Sequence, residues 1–173
     1  MRRPWKICAG LLGAAAIAAL VVFGLAPSNN GSKRRRAPGL PAERLAGPPV
    51  TLSRLLADAH GRGALVVFWA SWCDPCASEA PALEAFSRTP QGRGRIVAVD
   101  WSDPRRGAVA FVRHYRWTFP TLRDAEGAIG DDYGLAVLPT TFVLDSSGRI
   151  VLAMRGPQTV ASLSRGLRAA ERA

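Results

Sequence analysis

Histidine and cysteine are both scarce in this sequence of 173 residues. The two histidines, His60 and His114, belong to no paired ligand pattern, so we do not expect a histidine metal site. The three cysteines form one close pair and leave Cys8 alone in an apolar stretch, where we interpret it as a free thiol without a function. No metal ion and no other cofactor is predicted.

Acidic residues are absent from the first 36 positions, which hold seven of the 23 basic residues. The other 16 basic residues and all 13 acidic residues lie after position 36, so most of the formal charge of +10 comes from the N-terminal segment. A basic excess beside an apolar run is typical of a membrane boundary and argues against a nucleic-acid surface. Nucleic acid is therefore not a predicted partner.

Charged residues and prolines are also absent from residues 7–26. At a helical rise of about 1.5 Å per residue, this run spans roughly 30 Å, the thickness of a bilayer's hydrocarbon core. We predict a cytoplasmic basic head at 1–6 and an uncleaved transmembrane signal-anchor at 7–26, with the rest of the chain extracytoplasmic. A cleaved signal peptide is the alternative, because Gly24 and Ala26 are small residues at the offsets of a cleavage site, although Pro27 directly after them disfavours cleavage.

Residues 27–49 contain five prolines and three glycines without a hydrophobic period. This composition predicts a flexible linker between the membrane and a folded domain at 50–173. The basic cluster at 33–36 either contacts anionic lipid headgroups or is part of a solvated tether.

Apolar strands alternate with helical segments after residue 50, which predicts a right-handed crossover and a parallel core. The predicted strands are 50–52, 64–69, 95–101, 140–144 and 150–153. The predicted helices are 54–59, 74–88, 126–133 and 158–172, with Ser53 as the cap of the first one. A further helix is predicted to begin at Asp103 and Pro104.

Cys73 and Cys76 lie where an apolar strand meets a helix. A helix N-terminus favours a thiolate, so Cys73 is the predicted nucleophile. Cys76, three residues later, is placed to resolve a mixed disulfide by attacking Cys73. Pro75 fits the first helical turn and stiffens the spacing between the two sulfurs. Asp74 has opposed effects, because it stabilises the first turn but disfavours the neighbouring thiolate, which favours a reductant over a strong oxidant.

Two separate blocks carry a family resemblance. Residues 66–76, VVFWASWCDPC, resemble the active-site turn of thioredoxins, and 77–81, ASEAP, are similar to the TlpA/ResA/CcmG (DsbE) branch of membrane-anchored thiol-disulfide oxidoreductases. Residues 133–151 resemble the cis-proline strand and hairpin of the same branch. The resemblance implies an α/β thioredoxin-like fold, a central mixed sheet with helices on both faces, preceded by one transmembrane helix and a linker.

The resemblance also implies an activity and its partners. We expect a protein-disulfide reductase that acts on disulfide-containing exported proteins, as in cytochrome c-type biogenesis, and that receives electrons from a membrane-embedded donor beside membrane lipid. An oxidase role stays open.

Site residues follow from the resemblance as well. A cis peptide is expected at Leu138-Pro139, facing the cysteines and pairing with an extended substrate. Glu79 is expected to handle protons, since Val67 replaces the buried aspartate of thioredoxins; the alternative is a solvated surface carboxylate. Trp72 is expected to contact partners, or else only to pack.

Two other functions are less consistent with the residues. A peroxiredoxin-like thiol peroxidase needs a threonine three positions before its nucleophile, where this chain has Ala70. A Sco-type copper carrier uses CxxxC with a ligand histidine, whereas this chain has CxxC and no histidine in a ligand pattern.

Overall fold

A six-stranded mixed sheet forms the centre of the protein, which a computed structural model describes over residues 34–173. The strand order is β1-β4-β3-β2-β5-β6; β2, β3 and β4 are parallel, and β1, β5 and β6 pair antiparallel with their neighbours. The elements are β1 (Glu43–Ala46), α1 (Leu52–Asp58), β2 (Ala64–Trp69), α2 (Asp74–Ser87), β3 (Ile96–Trp101), α3 (Arg105–His114), β4 (Thr121–Asp124), α4 (Ala128–Tyr133), β5 (Thr140–Leu144), β6 (Ile150–Arg155) and α5 (Val160–Glu171).

Strand β2 is buried along its whole length, as its unbroken apolar sequence predicts. Alternate side chains enter two separate cores, because successive residues of a strand point to opposite faces. Leu65, Val67 and Trp69 pack with Leu83 of α2 and Leu163 of α5, whereas the other face of the sheet packs with α1 and α4. Helices therefore cover both faces, and the predicted thioredoxin-like mixed sheet is confirmed for the described residues.

The first helix begins differently from the prediction. Residues 50–52 form no strand, and the Thr51 side chain, instead of Ser53, caps α1 by accepting a hydrogen bond from the Arg54 N–H. Both residue types are good N-caps, so their order alone does not decide which of them precedes the helix.

The second half of the predicted linker is part of the fold. Strand β1 lies within it and pairs with β4, so that β1 is the edge strand of the sheet. Arg35 donates hydrogen bonds to the carbonyls of Asp132 and Tyr133, at 2.6 and 2.9 Å, and the Ala37 N–H donates to Gly148 at 2.8 Å. Composition suggested a solvated chain, but the free edge of β4 offers backbone partners that composition does not reveal.

The predicted basic head, the signal-anchor and residues 27–33 lie outside the described residues. Within 34–173, no helix combines the length and the apolar character needed to cross a membrane.

The packing of α2 on the sheet leads to a stability prediction. Leu83→Ala should lower the free energy of unfolding by about 2–5 kcal/mol, because Leu83 is fully buried and its truncation leaves a cavity. Chemical denaturation measures this loss. The matched control is Leu152→Ala on β6, where the leucine is exposed and the loss should stay below about 1 kcal/mol. Equal losses in the two variants would contradict the assigned core.

Candidate active site

The two cysteines form a disulfide at the N-terminus of α2. Cys73 is the N-cap residue with extended backbone angles, and its sulfur accepts a hydrogen bond from the Cys76 N–H at 3.2 Å. Pro75 occupies the first turn, where its missing N–H has no helical partner in any case. The strand-to-helix junction thus places the attacking and resolving positions with their Cα atoms 5.2 Å apart.

Local charge acts on Cys73 in two directions. The unpaired N–H groups and the dipole of α2 stabilise negative charge on its sulfur. The exposed carboxylate of Asp74, in the same first turn, opposes that charge.

An open groove of about 530 Å³ lies beside Cys73. The Leu138-Pro139 peptide is cis, as predicted, and Leu138 lines the groove. Trp72 and Val137, with 56% and 47% of their surfaces exposed, are two of the three large exposed apolar side chains among residues 34–173. Exposed apolar surface is therefore concentrated next to the disulfide, which indicates a contact region for another molecule.

Four further groove residues were not singled out from the sequence. Trp101 ends β3 and approaches Trp72 with 6.4 Å between ring centroids, and residues 135–137 form the opposite side. The position of Trp101 carried a usable signal, since the carboxyl ends of neighbouring parallel strands meet at one edge of the sheet, where sites form.

Glu79 is buried, with 1% of its surface exposed. One carboxylate oxygen accepts a hydrogen bond from the Gln158 N–H at 3.1 Å, and the other has no partner among the described residues. Burial raises the pKa of Glu79 to about 7, although the Gln158 N–H acts in the opposite direction. The alternative of a solvated surface carboxylate is therefore wrong, and Glu79 can exchange a proton near neutral pH.

A second acidic group was missed by the sequence analysis. Asp100 near the end of β3 and Asp103 just after it are both buried. Asp103 accepts hydrogen bonds from the Ser71 N–H and hydroxyl, at 2.6 and 2.9 Å, and Ser71 lies two residues before Cys73. A charged residue within an otherwise apolar strand was the available signal for Asp100.

A model of the AhpC/TSA family matches residues 34–153. The chain belongs to this family. The resemblance to ResA-type proteins is also confirmed: the chain is 32% identical over 114 residues to a protein of Bacillus thuringiensis named thiol-disulfide oxidoreductase ResA. This match covers 65% of the chain and 66% of the relative. A thioredoxin-like protein of Bacillus subtilis, YneN, is 35% identical over 119 residues, 67% of each chain.

Solved structures give the same result for the fold. A protein of Chlorobium tepidum named as thiol:disulfide interchange protein DsbE superposes with a TM-score of 0.65 at 28% identity, covering 80% of this chain and 97% of that one. StoA of Bacillus subtilis superposes with a TM-score of 0.62 at 23% identity, covering 75% and 96%, and shows likeness of fold alone.

Glu79 generates a prediction about pH and stability. An unfolded glutamate ionises near pH 4.3, so the folded protein keeps a proton that the unfolded chain loses from about pH 4 upward. This stabilising contribution is complete below about pH 4 and is lost as the pH rises through about 7, where the folded group ionises. Glu79→Gln should remove a pH-dependent change in the free energy of unfolding of roughly 3 kcal/mol.

Denaturant unfolding of the oxidised protein between about pH 4 and about pH 8 measures this difference. Glu126→Gln, at an exposed glutamate outside the site, is the matched control and should retain the wild-type profile. Parallel profiles of wild type and Glu79→Gln would show that Glu79 carries no retained proton.

Proposed function

We propose that this chain is a thiol-disulfide oxidoreductase that reduces disulfides in protein substrates through Cys73 and Cys76. The observation that carries this proposal is the position of the disulfide, which lies at a helix N-terminus beside a groove with exposed apolar side chains. The helix favours the attacking thiolate, and the groove gives a polypeptide access to it.

The reaction is a pair of thiol-disulfide exchanges. The Cys73 thiolate attacks one sulfur of a substrate disulfide, which forms a mixed disulfide and releases the other substrate sulfur as a thiolate. The Cys76 thiolate then attacks the Cys73 sulfur, so the substrate leaves as a dithiol and the protein holds the disulfide seen here. A dithiol donor reverses these steps and restores the reduced form.

Glu79 is the proposed proton acceptor for Cys76. It lies one turn after Cys76 on the buried side of α2, in a region where bulk water has little access. A carboxyl group with a pKa of about 7 accepts and returns protons at neutral pH, which suits a thiol that must ionise before it attacks.

Substrate binding is assigned to the groove. Trp72 and Leu138 offer apolar contact to residues that flank the substrate cysteine, and Pro139 ends the loop that faces Cys73. Aromatic side chains provide much contact area at low entropic cost, so Trp72 is the principal proposed contact.

The direction of electron flow is proposed from local charge. Asp74 opposes a strongly stabilised Cys73 thiolate, and a strong oxidant requires such a thiolate. We therefore assign the protein as a reductant.

The proposed location follows from the N-terminal pattern. An apolar signal-anchor at 7–26 behind a basic head would hold the domain on the extracytoplasmic side of the membrane. There it would receive electrons from a membrane-embedded donor and reduce exported proteins, with cytochrome c maturation as the proposed pathway.

The two cysteines generate different predictions. Cys76→Ser should accumulate a stable mixed disulfide with a substrate such as insulin, because no resolving thiol remains. Cys73→Ser should form no such adduct, and both variants should reduce insulin no faster than the uncatalysed reaction. Non-reducing electrophoresis and mass spectrometry detect the adduct, and Cys8→Ser is the control that should keep wild-type activity.

An adduct through Cys76 in the Cys73→Ser protein would reverse the assigned roles. Rapid reduction of hydrogen peroxide by the wild type, with no activity on insulin, would instead support the thiol peroxidase alternative.

A further inference from the structure

Two acidic side chains lie beneath the active-site turn and take no part in the exchange steps above. Asp100 has 0% of its surface exposed and Asp103 has 3%. Ser102 between them has a φ of 50°, a left-handed conformation that is uncommon for a residue other than glycine and that turns the chain between the two aspartates.

Asp100 has an unusual environment for an ionised carboxylate. Among the described residues, no N–H or hydroxyl group donates to either of its oxygens, and its side-chain hydrogen-bond contact is with the acidic Asp103. The nearest cation is Arg123 on β4, whose Nε lies 3.7 Å from Asp100, too far for a hydrogen bond. The terminal N–H groups of Arg123 donate hydrogen bonds to other partners, to the Glu43 carboxylate at 3.1 Å and to the Asp103 backbone carbonyl at 3.0 Å.

The other charged groups around Asp100 lie toward the surface. Glu43 of β1 pairs with both Arg105 at the start of α3 and Arg123. Strand β2 contributes the neutral Trp69, which is the register partner of Asp100. The Asp100 carboxyl therefore has two neighbours, the Arg123 cation at 3.7 Å, which also pairs with Glu43, and the acidic Asp103.

Asp103 has a defined structural task. Each of its two carboxylate oxygens accepts a hydrogen bond from Ser71, which lies in the turn that leads to Cys73. Helix α3 closes over this contact at Gly107, where a Cβ atom would lie 2.5 Å from the Ser71 hydroxyl and 3.3 Å from the Asp103 carboxylate. Helix α3 therefore packs directly against this partly buried contact.

We propose that Asp100 and Asp103 share one proton as a carboxyl–carboxylate pair and that this pair positions the Ser71 turn that carries Cys73. When Asp100 is protonated, its hydroxyl donates a hydrogen bond to the Asp103 carboxylate. Protonation also removes the negative charge of Asp100, which would otherwise be buried without adequate pairing. The pKa of Asp100 is raised to about 8, first by burial and then by the charge and hydrogen bonding of Asp103.

Asp100 is therefore a positioning residue. When it ionises, two adjacent carboxylates repel each other, and Asp103 holds the Ser71 turn less firmly. The effect on Cys73 rests on the proposed function, whereas the shared proton itself is a property of the oxidised protein and can be tested without any substrate.

The test uses the full oxidised chain, in which Cys73 and Cys76 do not titrate. Carbon-13 NMR of the side-chain carboxyls in a Glu79→Gln background should show one aspartate that stays protonated above about pH 6, well beyond the ordinary aspartate range. The Ser71 amide proton should shift with the same midpoint, because it donates directly to Asp103.

Two substitutions separate titration from packing. Asp100→Asn keeps a hydrogen-bond donor toward Asp103, so the Ser71 resonance should stay in its low-pH position and lose its titration. Asp100→Leu removes the donor, so that resonance should move at every pH. Asp58→Asn, on α1 and paired with Arg54, is the control and should leave the Ser71 titration as in the wild type.

A reactivity measurement connects the pair to chemistry. In the reduced protein carrying Glu79→Gln, the pH profile of the Cys73 alkylation rate should contain the Asp100 ionisation beside that of Cys73, and adding Asp100→Asn should remove it. The proposal is overturned if all wild-type aspartates are ionised at pH 7, which would indicate an Asp100–Arg123 ion pair. It is equally overturned if the Ser71 titration persists in Asp100→Asn. If the wild-type protein fails to reduce insulin but its Ser71 resonance titrates as expected, the proposed function is wrong and the shared proton is still supported.

Discussion

The structure depends on the junction between β2 and α2. A fully buried strand delivers the chain to the edge of the sheet, and the helix that follows begins with Cys73 as its cap. The Cys73 sulfur accepts a hydrogen bond from the Cys76 N–H, the role that a serine or aspartate oxygen commonly has as the N-cap of a helix. Negative charge on that sulfur would strengthen this hydrogen bond, because a charged acceptor binds an N–H group more strongly than a neutral one does.

The junction also explains why acidic groups near the site are buried. Glu79 faces inward because α2 must cover the sheet with the side that carries Cys76, Ala80 and Leu83. Asp100 faces inward because it follows Ile96 and Ala98 on one face of β3. Burial of a carboxyl without a matched cation costs free energy unless it keeps its proton. Burial thus raises the pKa of Glu79 to about 7 and that of Asp100 to about 8, near the proposed active-site turn.

Much of this organisation was predictable from the sequence. The limits of β2 and β5 and the position of the cysteines follow from apolar runs and from a change of period, which are local properties. The ordered structure of residues 34–49 depends on partners far along the chain, namely strand β4, helix α4 and the turn at Gly148, and proline content gives no information about them. The burial of Glu79 by residues near Gln158, and the meeting of Ser71 with Asp103, likewise depend on tertiary packing between distant segments.

The reduction potential of the Cys73–Cys76 pair is the most direct measurement of its proposed role as a reductant. The oxidised chain carrying Cys8→Ser is equilibrated with thiol-disulfide buffers of known potential, and the two redox forms are separated after alkylation. For a reductant we expect a potential below about −200 mV, toward the value of about −270 mV for thioredoxin. A potential near the value of about −120 mV for DsbA would show that the pair is an oxidant and would overturn the proposed role.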